Sequence, residues 1–111
     1  IGVRLVGSEM CIETAIAGAL AKEPSCDLAI VAALASAAAG KAVTPKTCAI
    51  GEMSLTGQVR PVPRIEPRLR EAARIGYKRA IVCHMRKNVN IPGLEIIEVS
   101  TVREALKALG L

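Results

Sequence analysis

Residues 51–82, GEMSLTGQVRPVPRIEPRLREAARIGYKRAIV, hold a hairpin, a helix and most of a strand in one continuous run. Gly57 reverses the chain between two extended arms, so Thr47 to Leu55 and Gln58 to Val62 are predicted to pair as a hairpin. A helix follows from about Ile65 to Ile75, with Ile65, Leu69, Ala72 and Ala73 inward and Gly76 as its C-terminal stop. Pro67 fits this helix only in the first turn, where a missing N–H loses no hydrogen bond. Lys78 to Cys83, centred on Ala80, Ile81 and Val82, reads as an interior strand.

On the N-terminal side, Arg4 to Ile16 alternates Met10, Ile12 and Ile16 with Cys11, Glu13 and Ala15, the pattern of a strand with one buried face. Gly18 to Pro24 is a connection. Asp27 to Ala39 then carries Leu28, Val31, Leu34, Ala35 and Ala38 at helical spacing, with Asp27 as N-cap and Gly40 as stop, and is apolar enough to require burial on most sides. Thr44, Pro45 and Lys46 form a turn. On the C-terminal side, His84 to Pro92 is a polar, irregular and flexible loop, Leu94 to Val99 a strand, and Thr101 to Leu109 a helix opened by the T-x-x-E capping box of Thr101 and Glu104. The order strand, helix, hairpin, helix, strand, strand, helix predicts an α/β domain with a mixed sheet and helices packed on it.

The hairpin and helix are also strongly cationic. Between Arg60 and Lys87, the residues Arg60, Arg64, Arg68, Arg70, Arg74, Lys78, Arg79, Arg86 and Lys87 face only Glu66 and Glu71. The whole chain carries a net +5, less than the excess in this one segment, so the remainder is mildly acidic. Charge localised this way points to a partner or to assembly. Arg64 and Arg68 are four apart, as are Arg70 and Arg74, and flank the apolar face of Ile65 and Leu69. Glu66–Arg70 and Arg68–Glu71 are favourable helical pairs, so an ordinary salt-bridged solvent face is the alternative to a binding surface.

At 111 residues the chain is one domain, too small for two cores with a site between them, and its function is expected on a surface. Tyr77 is the sole aromatic residue, which argues against modules that stack bases on exposed rings but leaves phosphate contact open. The four cysteines, Cys11, Cys26, Cys48 and Cys83, include no C-x-x-C. They are read as buried thiols in a reducing, cytoplasmic compartment, and no metal site is expected. No signal peptide is visible, and the apolar run from Leu28 to Ala39 is too short to span a bilayer. The start at Ile1, without Met, suggests an excised piece with companion domains missing.

The segment GEMSLTGQVRPV followed by RIEPRLREAARIGYKRAIV resembles the proteolytic domain of Lon-type proteases and, more closely, the Lon-like C-terminal domain of the bacterial RadA (Sms) family of DNA repair proteins. The likeness extends back through EPSCDLAIVAALAS, similar to the EPAADLA-type helix start of that family, and forward to VSTVREALKAL, so it covers nearly the whole chain. It implies a Lon protease-like fold.

Lon-type proteases place a Ser nucleophile in a G-P-S-A-G segment at a helix start and a Lys base at the start of the helix after the hairpin. By resemblance Ser25 in EPSCD takes the nucleophile position, and a gap-free reading from Pro61 to Gly76 puts Glu66 where the lysine belongs. A serine hydroxyl needs a base to take its proton, and here the base is replaced by a carboxylate among arginines. Asp27 replaces the small glycine after the Ser-Ala pair, and Lys22 the acidic residue three before the serine. Lys22 lies on a different element, and an ordinary lysine is protonated at neutral pH. Peptidase chemistry is therefore not expected. Ser25 then reads as part of a helix start with Pro24 and Asp27, and His84 as a solvated loop residue without a triad partner.

What the resemblance implies instead is a non-proteolytic module of a ring-forming, RecA-related ATPase that drives branch migration, supporting hexamer assembly and contacting DNA independently of sequence through the nine basic residues. ATP, magnesium and zinc would belong to upstream domains. No G-x-x-x-x-G-K-[ST] phosphate loop occurs here, and Gly40-Lys41 lacks the earlier glycine. The alternatives are a divergent Lon-type serine peptidase using Ser25, or the Lon-like domain of another AAA-type ATPase such as the ComM proteins.

Overall fold

The structure, a computed structural model, describes the backbone of Val3–Leu5 and the whole of residues 27–111. Its described elements are β1 (Val3–Leu5), α1 (Asp27–Ala39), β2 (Thr47–Ile50), β3 (Glu52–Met53), β4 (Val59–Arg60), α2 (Ile65–Arg74), β5 (Arg79–Cys83), β6 (Glu95–Val99) and α3 (Val102–Ala108). The strand expected from Arg4 to Ile16 is described only at Arg4 and Leu5, and the connection expected from Gly18 to Pro24 lies outside the described residues.

The main sheet has the order β1-β2-β5-β6. β1 runs antiparallel to β2, with Val3 opposite Ala49, whereas β2 and β5 are parallel with Cys48 opposite Ala80, as are β5 and β6 with Val82 opposite Glu98. The sheet is thus mixed, as the element order implies. Parallel strands covered on both faces read as continuous apolar runs. All of β2 is buried, and so are Ala80, Ile81 and Val82.

Alternation along the strands divides the core into two layers. Ala49, Ile81 and Val99 pack with Leu28, Ala29, Ala32 and Ala33 of α1 and Ala105 of α3. Cys48, Ile50, Ala80 and Val82 face the other way, onto Leu69 and Ala72 of α2 and onto Ile91 and Leu94. In α1 the inward face differs from the expected one. Leu28, Ala29, Ala32, Ala33 and Ser36 are buried, while Leu34, predicted inward, is 57% exposed and Ala38 is exposed as well. The helix lays its smallest side chains on the sheet, and a thirteen-residue segment with no charge after Asp27 offers no polar face to mark the outside. Asp27 is the first helical residue, and its Oδ2 accepts the Met53 N–H at 3.5 Å.

The strand expected from Thr47 to Leu55 breaks at Gly51. Its first half joins the main sheet, and its second half pairs with β4 in a separate two-stranded sheet, Glu52 opposite Arg60 and Met53 opposite Val59. Gly51 lies against the start of α1, where its carbonyl accepts the Leu28 N–H at 3.0 Å. A Cβ there would stand 2.9 Å from Val59 Cγ1 and 3.2 Å from Leu28 Cδ2. β4 ends at Arg60, short of the expected Val62, because Pro61 and Pro63 cannot donate to a ladder.

Residues 84–92 are irregular as expected, and the irregular stretch runs on through Leu94, one residue into the expected strand; Ile91 and Leu94 are only 7% and 8% exposed and tie the loop to the α2 layer. At α3 the Thr101 hydroxyl accepts the Glu104 N–H at 3.2 Å and donates to the Glu104 carboxylate at 3.3 Å, so the cap forms as the T-x-x-E pattern predicts. Among the described residues, no helix is long and apolar enough to cross a membrane.

Candidate functional site

The hairpin that leads into the cationic segment is fixed at its turn and against the start of α3. Its turn closes through Gly57, at φ 83°, with Ser54 N–H donating to the Gln58 carbonyl at 2.9 Å and the Ser54 hydroxyl accepting the Gln58 N–H at 3.1 Å. It is clamped to the start of α3 by Val59 N–H to the Ser100 carbonyl and Val102 N–H to the Gly57 carbonyl, each 2.9 Å. Past Pro63 the chain turns into α2 through Arg64, which sits in the left-handed region (φ 57°, ψ 43°) and has no side-chain capping bond. Pro67 then falls in the first turn of α2, as expected.

α2 buries Leu69 and Ala72 and presents its polar face outward. Arg70 forms an ion pair with Glu66 and Arg74 with Glu71. The Arg74 hydrogen bond lowers the Glu71 pKa, and the same bond raises that of Arg74. The Arg68 Nε–H donates to the Pro63 carbonyl at 3.2 Å, bracing the turn at Arg64. Arg79, opposite Glu95 across β5–β6, has Nε 3.2 Å from the Glu95 carboxylate, close enough for an ion pair though not aligned for a hydrogen bond.

The nine basic residues therefore do not form one uniform patch. Arg74, Lys78 and Arg79 lie at the C-terminal end of α2 and the start of β5, whereas Arg64, Arg86 and Lys87 lie at the opposite end, about 15 Å away along a ten-residue helix. Arg60 precedes the cleft wall at Pro61, and Arg70 points from mid-helix toward Glu66. Arg60, Arg64, Lys78, Arg86 and Lys87 are exposed and carry no ion pair among the described residues.

Arg64, Arg86 and Lys87 converge on a cleft of about 480 Å³. It opens beyond the carboxyl ends of β2 and β5, which finish at Ile50 and Cys83, the end of a parallel sheet where α/β proteins bind ligands. Ile50, Val62, Ile65, Met85 and Val89 give it an apolar lining. Glu66 and His84 complete the wall. His84 Nδ1 lies 3.5 Å from Glu98 Oε1, which also accepts the Met85 N–H at 2.6 Å, so β6 holds the first residues of the loop in place.

Glu66, at the position that resemblance gives to a catalytic lysine, lines this cleft and is held by Arg70. Ser25 and Lys22 lie outside the described residues, as do Cys11 and Cys26. Of the remaining thiols, Cys48 is fully buried and its pKa is pushed up to about 12 by desolvation. Cys83 lines the cleft with its thiol donating to the Val59 carbonyl at 3.3 Å, and burial raises its pKa as well. Neither is a poised nucleophile. Among the described residues, no group of three or more His, Cys, Asp or Glu is placed to hold a metal ion.

Sequence reasoning missed the apolar lining and Glu98. Val62, Met85 and Val89 are isolated apolar residues in prolyl or polar surroundings, without a period to mark them. Glu98 meets the loop only because β6 lies beside β5 in parallel register.

Comparison with known proteins places this geometry in a family. Residues 2–86 match the family described as "Subunit ChlI of Mg-chelatase", a span that includes the main-sheet strands β1, β2 and β5, the hairpin, α2 and the cationic cleft mouth as far as Arg86. The chain belongs to the ChlI family. Beyond the ChlI span, similarity continues to α3 in proteins named DNA repair protein RadA. The Bacillus subtilis protein is 39% identical over 109 residues and the Listeria monocytogenes protein 37% over 109, each alignment covering 96% of this chain. The Synechocystis protein is 39% identical over 92 residues, 82% of the chain. This ChlI-family chain spans about a quarter of the length of the first two relatives, 24% of each.

Proposed function

We propose that the chain is the Lon-like, non-proteolytic domain of a cytoplasmic RadA-type DNA repair ATPase, serving ring assembly and sequence-independent contact with DNA. The observation that carries this reading is the meeting of three exposed cations, Arg64, Arg86 and Lys87, at one cleft mouth in a chain 39% identical to a DNA repair protein over 96% of its length. Guanidinium and ammonium groups that carry no ion pair among the described residues are suited to phosphate oxygens. The cleft offers no ordered array of donors and acceptors for reading base edges, which is why sequence independence is expected. Glu66 in the lysine position, already engaged by Arg70, supports the absence of peptidase chemistry. ATP hydrolysis, magnesium and zinc would lie in the remaining three quarters of such a protein.

The test is fluorescence anisotropy with duplex and single-stranded oligonucleotides over a salt titration. Binding should be measurable at low salt and weaken steeply as salt rises, and Arg64→Glu combined with Arg86→Glu should abolish it with the melting temperature little changed. Affinity that is undetectable for both DNA forms, or indifferent to salt, would sink the DNA-contact reading. Assembly is separate, and sedimentation of the same samples reports it.

A further inference from the structure

The cleft is larger and more apolar than phosphate contact requires. From its shape and lining we infer that it receives one unpaired nucleotide of single-stranded DNA, the base against the aliphatic walls and the flanking phosphates on Arg64, Arg86 and Lys87. The inference rests on the DNA-contact reading and adds to it a preference for the single strand.

Volume is the first argument. Phosphate groups lie on a surface, whereas about 480 Å³ falls within the roughly 300–1,000 Å³ of sites that enclose small organic groups. Lining is the second. Val62, Ile65, Met85 and Val89 are half-buried apolar side chains facing a cleft with a charged mouth. Sites that take a base out of its stack hold it between aromatic or apolar side chains, so the absence of Phe and Trp does not exclude one. Arg64 and Arg86 add guanidinium planes on which a base can stack.

Charge is the third argument and selects the occupant. The cleft's one carboxylate, Glu66, is paired with Arg70, which leaves the mouth cationic. The ligand is then anionic at its ends and apolar and flat in its middle. An acidic peptide fits the mouth less well inside, because its backbone N–H and C=O groups would be buried against aliphatic side chains. β5 offers no free edge for those groups, since it is paired with β2 on one side and β6 on the other. A base turns its apolar faces to the walls and its polar edge to the open mouth. In duplex DNA the bases are stacked inside and cannot enter without unpairing.

The test compares three labelled oligonucleotides of equal length at low salt: a mixed-sequence single strand, its duplex, and an abasic strand with the same phosphates. The intact single strand is expected to bind at least about fivefold more tightly than the abasic strand, the low end of the range for a base stacked on an aromatic side chain, which aliphatic walls and guanidinium planes are taken to reach. Val89→Asn, which puts an uncharged polar group on the lining and leaves the charge of the mouth as it is, should narrow that difference. The abasic comparison needs no variant, so it stands even if Val89→Asn fails to fold. Equal affinity for intact and abasic strands overturns the inference and leaves the DNA-contact reading intact. No binding of any of the three removes both. Displacement of the single strand by an equally charged poly-glutamate peptide, at lower concentration than by unlabelled DNA, overturns it in favour of a peptide.

Discussion

Gly51 concentrates more of the fold in one atom than any charged residue does, and that atom is the one it lacks. Its missing Cβ lets the end of β2, the start of α1 and the hairpin strand β4 meet, with Val59 Cγ1 at 2.9 Å from where the Cβ would be. Alanine at this position would gain roughly 0.4–1 kcal/mol from a less flexible unfolded chain, but the forced shift of a buried valine costs about 1–3 kcal/mol. Gly51→Ala should therefore lower stability in urea titrations, and adding Val59→Ala should cost less than the two single changes summed, since the second removes the clash. Cys48 supplies a prediction with a definite sign. Its folded-state pKa of about 12 lies above the ordinary 9.0, so the unfolded chain releases the proton first. Stability is unaffected below about pH 9 and then falls by as much as about 1.4 kcal/mol per pH unit toward 12. Cys48→Ala should flatten that alkaline decline in equilibrium unfolding. An identical slope in both proteins would mean that the thiol is not shielded.

α2 shows how far periodicity carries and where it stops. Its span, its buried Leu69 and Ala72, the place of Pro67 and the Glu66–Arg70 pair all follow from spacing in the sequence. The buried face of α1 does not, because alanine is neutral enough to face either way and the helix lacks charges to orient it. The break at Gly51 was equally hidden: local alternation runs straight through it, and only the approach of α1 and Val59 makes the chain turn. The left-handed Arg64 is a third feature that spacing cannot reveal. A side chain with a Cβ in that conformation costs about 1–2 kcal/mol, and glycine, which adopts it freely, gives back roughly 0.5–1 kcal/mol in extra unfolded-state entropy. Arg64→Gly should thus leave the melting temperature equal or slightly higher while DNA affinity falls. Strain kept at a position that serves binding gives this pairing of opposite signs. A fall in both measurements would instead make Arg64 a structural residue whose charge is incidental.

At the scale of the whole molecule, six of the nine cations clustered in sequence separate into two groups of three at opposite ends of α2, and ion pairing further reduces those available to a ligand. The concentration of charge was legible in the chain, but its division was not, since that depends on helix direction and on which carboxylates the sheet register brings near. Arg79, for example, is met by Glu95 only through the β5–β6 pairing. This division can be measured through salt dependence. Each phosphate neutralised contributes about −0.9 to the slope of log affinity against log salt on duplex DNA. If Arg86 and Lys87 each contact one phosphate, Arg86→Ala with Lys87→Ala should make the slope shallower by about 2. The matched change at the far end, Arg74→Ala with Arg79→Ala, should alter it by much less, because those side chains are engaged by Glu71 and Glu95 and lie away from the cleft. Equal loss of slope from both pairs would mean that DNA runs the length of α2, and a larger loss from the far pair would move the contact surface away from the cleft altogether.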